Sequence, residues 1–196
     1  FWLSYSESLQ YLASHNDLIN NFGLNANNAK LHYINYGRAE GRATDIFNAW
    51  GYLVKYEDLI DSFGSDVNAA LEHYINFGYS EGRRAGDFDA YNYIASHEDL
   101  IDSFGSNSNL GGAHYINHGK SEGRSIDSFD EWGYLASNND LMNAFGSDTT
   151  EAIKHYISFG MKEGRLTNLF NVDSYLNNYA DIKNTFGNNQ DLAKKH

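Results

Sequence analysis

Residues 32–42 read HYINYGRAEGR, and nearly the same string returns at residues 73–83, 114–124 and 155–165. The later copies are HYINFGYSEGR, HYINHGKSEGR and HYISFGMKEGR, so the interval is always 41 residues. The same interval, without insertion or deletion, separates Tyr11, Tyr52, Tyr93, Tyr134 and Tyr175, and also Asp17, Asp58, Asp99, Asp140 and Asp181. A fixed period of this length is the signature of a repeat architecture.

Glycines and capping residues divide each repeat into two or three short helices. In the third repeat, Ser96 with Asp99 three residues later has the spacing of a capping box, and it predicts a helix that ends at Gly105. Asn107 then predicts the N-cap of a helix that runs through HYIN to Gly119. Every repeat has Asn or Asp at the position of Asn107.

The sequence therefore predicts an all-α fold of tandem 41-residue helical repeats, stacked as a solenoid or a compact superhelix. We expect one array over residues 1–196, with an atypical lead-in at 1–10. Repeats start near positions 6, 47, 88, 129 and 170, and the last one is truncated. Phe1 is not a natural start, so we expect a piece of a longer array. Of the 18 glycines, 13 fall at three repeat positions, which assigns them to caps and turns.

Composition excludes several classes of function. The net charge of -12 disfavours binding to nucleic acid or to an anionic membrane surface. No apolar run has the length of a transmembrane helix. The absence of cysteine excludes thiol nucleophiles and Cys-based zinc sites. The repeat contains no GxSxG motif and no unique residue that would mark an active centre, so we expect no enzymatic activity.

Each complete repeat combines Asp, His, Glu and Arg at fixed positions. Arg83 could grip a carboxylate or sulfate ligand, or it could pair with Asp58 or Asp99. We favour the second reading, in which these side chains form a polar latch between repeats. The predicted inter-repeat latch consists of Asp58, His73, Glu81, Arg83, Asp99, His114, Glu122 and Arg124.

The periodic histidines are read as structural residues rather than metal ligands. Neighbouring copies are 41 residues apart, and no HExxH motif is present. His114 and His118 are four residues apart, but other repeats have Tyr or Phe at the position of His118, which predicts an aromatic packing site. We expect each periodic histidine to be half-buried, with one ring nitrogen on a backbone or carboxylate partner. No cofactor or metal is predicted, although calcium stays open for so acidic a chain.

The aromatic residues are the best candidates for a ligand surface. Trp50, Tyr91 and Trp132 share one repeat position, and flat rings with polar tips favour interfaces when they are exposed. The alternative is that these three rings belong to the core. Their exposure would favour a glycan site, and their burial would favour a purely structural role.

The pattern YLASHNDLINNFG followed by HYINYGRAEGR resembles a repeat found in large secreted bacterial proteins of the hemolysin-type and adhesin-like classes. The resemblance covers residues 11–196, although this chain lacks the proline that some versions contain. It implies an extracellular or cell-surface accessory role and supplies no catalytic residues.

We therefore expect a non-enzymatic extracellular binding or adhesion module, with polysaccharide or another cell-surface or matrix component as its partner. Two alternatives stay open. One is a purely structural stalk or filament subunit that contacts only protein and self-assembles. The other is a spacer of a large secreted protein that calcium stiffens.

Overall fold

The computed structural model describes residues 2–196, and within that range every regular element is a helix. The predicted all-α class is confirmed. Phe1, part of the predicted lead-in at 1–10, lies outside the described residues. The rest of that lead-in enters a regular helix, Tyr5–Ala13, which has the place of the first helix in the other repeats. Ser4 and Glu7 close a capping box at its start.

Each repeat contains three short α-helices. The first helices are Tyr5–Ala13, Ala49–Lys55, Ala90–Ala95, Glu131–Ser137 and Val172–Asn178. The second helices are Asn16–Phe22, Glu57–Phe63, Glu98–Phe104, Asn139–Phe145 and Ala180–Phe186. The third helices are Ala26–His32, Val67–His73, Ser108–His114, Thr149–His155 and Gln190–Lys195. Helices this short are marginal in isolation, so packing must hold them.

A π-helical turn extends the third helix in the first four repeats, which the sequence pattern did not predict. In the second repeat the N–H of Tyr79 donates to the carbonyl of Tyr74 at 2.8 Å, the five-residue step of a π turn. The π turns are Tyr33–Gly37, Tyr74–Gly78, Tyr115–Gly119 and Tyr156–Gly160, and the short helix Lys120–Glu122 follows the third of them. Because the turn recurs, it belongs to the architecture of the repeat rather than to a single site.

The predicted Asn and Asp caps are confirmed, whereas the predicted cap at Ser96 is wrong. Asp66 accepts hydrogen bonds from two N–H groups of the third helix, and Asp148 does the same for one. The second helix of the third repeat begins at Glu98, with His97 in the N-cap position and no side-chain cap. The Ser96 hydroxyl instead accepts from the N–H groups of Ser128 and Phe129 at 2.9 and 3.0 Å. It therefore joins the first helix to the loop that leads into the next repeat.

Glycine ends the second helix of each repeat with a positive φ. Gly105 has φ 52° and ψ −145°, so φ is positive as predicted while ψ lies outside the left-handed helical region. Gly123, in the final turn of the third repeat, has φ 67° and ψ 28° and is a true left-handed residue. A side chain would be strained at both positions.

The chain divides into two compact units. Of the described residues, the first contains 2–89 and 112–124, and the second contains 90–111 and 125–196. The first unit holds the first two repeats, the second unit holds the fourth and the truncated fifth, and the third repeat is divided between them. The expectation of one continuous array over residues 1–196 stays a prediction.

One packing arrangement recurs inside both units: the first helix of a repeat contacts its own third helix and the third helix of the following repeat. In the first unit Tyr5–Ala13 packs on Ala26–His32 and on Val67–His73, and in the second unit Glu131–Ser137 packs on Thr149–His155 and on Gln190–Lys195. The largest fully buried side chains are the periodic tyrosines Tyr11, Tyr52, Tyr93 and Tyr134.

Candidate functional site

The periodic histidine bonds to the periodic tyrosine of the same repeat. In the second repeat the Tyr52 hydroxyl lies 2.9 Å from Nδ1 of His73, and in the fourth the Tyr134 hydroxyl lies 2.9 Å from Nδ1 of His155. Burial raises the pKa of Tyr134 to about 12, so its hydroxyl stays protonated at neutral pH. The expectation of a backbone or carboxylate partner for His73 is therefore wrong. The constant spacing of 21 residues between Tyr and His was the signal in the sequence.

Aromatic rings enclose the same histidine. The His73 ring centroid lies 5.9 Å from that of Phe63 and 5.7 Å from that of Phe77. One ring nitrogen is bonded to a hydroxyl and both neighbours are rings, so the environment is that of a packed structural side chain.

In the first, second and fourth repeats the arginine of the EGR turn bridges two carboxylates. Arg83 donates from Nη1 to Asp58 at 2.8 Å and from Nε to Glu81 at 2.8 Å. This pairing holds the pKa of Asp58 below its usual range. Arg165 makes the equivalent contacts in the fourth repeat, with Asp140 and Glu163.

These distances correct the predicted latch between repeats for its members in the second repeat. Asp58, Glu81 and Arg83 all belong to the second repeat, so the triad ties the final turn back to the second helix of its own repeat. His73 likewise bonds to Tyr52 of its own repeat. The physical reason is that the EGR turn folds back against the helix that carries the aspartate.

In the third repeat, the predicted latch residues include one ion pair. Arg124 donates from Nε to Glu122 at 2.7 Å, which holds the pKa of Glu122 below its usual range. His114 ends the third helix with its ring centroid 5.4 Å from that of His118. Asp99 lies in the second helix, Glu98–Phe104.

Arg83→Ala should lower the melting temperature of the chain. The change removes two carboxylate contacts and a guanidinium group that lies 4.9 Å from the centroid of Tyr56. Arg84→Ala is the matched control, because it removes the same charge from an exposed neighbour. Thermal melts of both variants check the prediction, and equal melting temperatures would contradict a role for the triad in stability.

The three predicted ligand-binding rings are half-buried. Trp50 packs over Gly112 in the first unit. In the second unit the ammonium group of Lys154 lies 5.1 Å from the centroid of Tyr91, and that of Lys195 lies 5.4 Å from the centroid of Trp132. Each ring is therefore covered in part by the third helix of the following repeat, and its role as a ligand contact stays a prediction.

A second series of rings is more exposed. These rings lie at the repeat position of His118, where the sequence predicts an aromatic packing site. Tyr36, Phe77 and Phe159 are 58%, 56% and 58% exposed, and His118 is exposed at the same repeat position. Each lies against its periodic histidine, with ring centroids 5.4–5.7 Å apart. We call these four residues the exposed ring series. The expectation of packing accounts for one face of each ring and leaves the other to solvent.

Glu131 is a carboxylate in a position that other repeats fill with small or apolar side chains. Ser8, Ala49, Ala90 and Val172 occupy that position elsewhere, and all are buried. Burial, with a smaller contribution from the nearby carboxylates Asp127, Asp130 and Asp191, raises the pKa of Glu131. Its Oε2 accepts a hydrogen bond from the Asn92 amide at 3.0 Å.

Glu131→Gln should raise the melting temperature by about 1–2 °C at pH 7, because the amide keeps an acceptor for Asn92 without a buried charge. A carboxyl group whose folded-state pKa is raised stabilises the fold below its unfolded pKa, and this contribution is lost as pH rises through the folded value. The gain should therefore vanish well below pH 4.5, the ordinary value. Glu122→Gln is the control with the opposite sign, since the pKa of Glu122 is lowered. Melts across pH that move both variants alike would contradict the assignment.

Metal and membrane functions gain no support from this part of the chain. Among residues 2–196 no group of three or more His, Asp or Glu side chains is arranged to hold a metal ion. Over the same residues no helix combines the length and apolar character needed to cross a bilayer.

Comparison with known proteins gives no relative: no family model, no curated protein and no solved structure matches the chain. The resemblance to repeats of secreted bacterial proteins therefore stays a prediction.

Proposed function

We propose that this chain is a non-enzymatic structural repeat module, a spacer or filament subunit of an extracellular or cell-surface protein. The observation that carries the proposal is that the recurring polar residues bond to one another within the repeat. His73 is bonded to Tyr52, and Arg83 is bonded to Asp58 and Glu81. A ligand that used these side chains would first have to break those contacts.

The packing inside each unit supports a solenoid. Tyr5–Ala13 packs on the third helix of the following repeat in the first unit, and Ala90–Ala95 and Glu131–Ser137 do so in the second. A contact rule that links each repeat to its neighbour generates a linear stack whose stability is a sum over repeats and their interfaces. Such a stack gives a spacer its length.

A glycan array probed with the whole chain tests the structural proposal, once in calcium and once in EDTA. We expect no hits in either buffer and the same melting temperature in both. Hits in both buffers would overturn the structural role in favour of glycan binding. Hits or stability lost in EDTA would make calcium part of the site and favour the calcium-stiffened spacer.

Polysaccharide binding is the second candidate, and the exposed ring series favours it. Aromatic rings that are more than half exposed and recur once per repeat offer stacking surfaces for sugar faces. An acidic chain of net charge -12 would take a neutral or cationic polymer rather than an anionic one.

The double substitution Phe77→Ser with Phe159→Ser tests this second candidate. It should abolish any array hits while the melting temperature changes little, because both rings are already exposed. Asn76→Ser, at an exposed residue of the same π turn, is the control. Hits that survive the double substitution would exclude the exposed ring series as the binding surface.

A further inference from the structure

The π turn of a repeat contributes an isoleucine to the contact with the preceding repeat. Tyr74–Gly78 packs on Tyr5–Ala13 in the first unit, and Tyr156–Gly160 packs on Ala90–Ala95 in the second. The isoleucines of these turns, Ile75 and Ile157, are only 4% and 2% exposed. A preceding first helix therefore covers this position almost completely.

The same position is open in the first repeat. Ile34 is 38% exposed and Leu31, three residues earlier, is 52% exposed. The equivalents of Leu31 reach the preceding repeat: Glu72 accepts a hydrogen bond from the Tyr5 hydroxyl at 2.8 Å, and Lys154 lies over the ring of Tyr91. The first repeat thus carries the contact surface of a following repeat, and the described residues contain no preceding first helix to cover it.

A groove marks this surface. Trp2, Tyr33, Ile34 and Arg38 line a cavity of about 470 Å³, and Trp2 is 73% exposed. Its lining combines apolar and aromatic side chains with one cation, and Tyr33 and Ile34 come from the π turn whose isoleucine is buried in the second and fourth repeats. We call Leu31, Ile34 and the lining of this groove the leading face.

We propose that the leading face is the docking surface for the first helix of a further repeat of this kind, joined in register ahead of Trp2. The inference rests on the repeat stacking of the proposed function. Tyr91 is the equivalent of Trp50, and Lys154, 63 residues later, is the equivalent of Leu31. In the docked helix, the residue equivalent to Trp50 would therefore lie over Leu31. Leu31 is apolar, so the docked helix should carry an apolar or aromatic residue there, as Trp50 and Tyr91 do.

A second copy of the chain is a poorer occupant. A second copy would dock through its last repeat. The first helix of that repeat is Val172–Asn178, which has Asp173 at the position of Trp50. Burying that carboxylate, which accepts a hydrogen bond from Gln190 at 3.3 Å, against the apolar Leu31 would cost more free energy than burying an apolar side chain there. The chemistry of the leading face therefore selects a repeat of the Trp50 type over the last repeat of another copy.

A fused repeat tests the proposal. A copy of residues 42–82 placed directly ahead of residue 1 keeps the 41-residue register and brings its own Trp50 to 63 residues before Leu31. The chain has no cysteine, so Ile34→Cys gives a single reporter for a thiol reagent. We expect its labelling to be at least about 10-fold slower in the fusion than in the chain alone. Tyr36→Cys should label rapidly in both proteins, because its equivalent Phe77 is exposed even though a repeat precedes it.

Two references make the outcome decisive. The same fusion carrying Trp50→Asp in its copied repeat should lose most of the protection of the Ile34→Cys reporter. Ile75→Cys in the unfused chain should label slowly, because Ile75 is already covered. Slow labelling at Ile75→Cys with no protection at Ile34→Cys in the fusion would overturn the proposal and leave repeat stacking intact. Rapid labelling at Ile75→Cys would overturn the stacking itself, and with it the proposal.

Self-association gives the remaining outcome. Sedimentation of the unfused chain should show a monomer at the concentrations used for labelling. Dimers that disappear on Ile34→Asp would make a second copy the occupant and overturn the choice of a fused repeat.

Discussion

Gly78→Ala should lower the free energy of unfolding by about 2–3 kcal/mol, which is the cost of overpacking a filled core site. A β-carbon on Gly78 would overlap the hydroxyl oxygen of Tyr52 and come within 3.3 Å of the ring of Tyr74. Tyr52 is fully buried and its hydroxyl is bonded to His73, so the ring has no room to move. Chemical denaturation of the variant beside the parent chain measures the loss.

Tyr52→Phe supplies the matched background for that measurement. The change alone should cost roughly 1 kcal/mol for the lost hydrogen bond to His73. In its presence Gly78→Ala should cost much less than in the parent, because the overlapping oxygen is gone and alanine favours the helix. Asn76→Ala, at an exposed residue of the same π turn, should change stability by less than about 0.5 kcal/mol. Equal costs of Gly78→Ala in both backgrounds would contradict a clash with the hydroxyl.

Local features of this fold could be predicted from sequence because each depends on a few neighbouring residues. The Asn and Asp caps of the third helices are an example, since a cap needs only the side chain of Asp66 and the N–H groups that follow it. The cap at Ser96 failed because its hydroxyl found donors in a loop more than thirty residues away. Local spacing carries no information on such a competitor.

The candidate site shows the same division. The pairing of Arg83 with Asp58 was one of two pairings that the repeat allowed, and only the three-dimensional path of the EGR turn decides between them. The π turn needs no unusual residue, so nothing in HYINFG distinguishes it from an ordinary helical turn. The exposure of Phe77 was missed for a related reason: a ring that recurs in a repeat looks like core until its covering neighbour is known.

Gly112→Leu should lower the free energy of unfolding by about 3 kcal/mol, as much as the change at Gly78, because the added side chain overfills a contact between consecutive repeats. Gly112 is buried, and a β-carbon there would overlap the indole ring of Trp50. The equivalent residues Leu71 and Ile153 are large and 2% exposed, so the position itself accepts a branched side chain. The indole of Trp50 therefore takes the space that a larger residue at position 112 would need.

Trp50→Leu should rescue Gly112→Leu. The first repeat has Leu9 at the position of Trp50, and the second repeat has Leu71 at the position of Gly112. Both pairs are separated by 62 residues. The double variant therefore copies a leucine pair that the chain already contains. Trp50→Leu alone should cost roughly 2 kcal/mol, because a leucine leaves space above the glycine. The double variant should be more stable than either single one, a coupling that denaturation of all four proteins would reveal. Additive losses in the free energy of unfolding would mean that Trp50 does not fill the space at Gly112. They would then favour a role for this ring as a ligand contact.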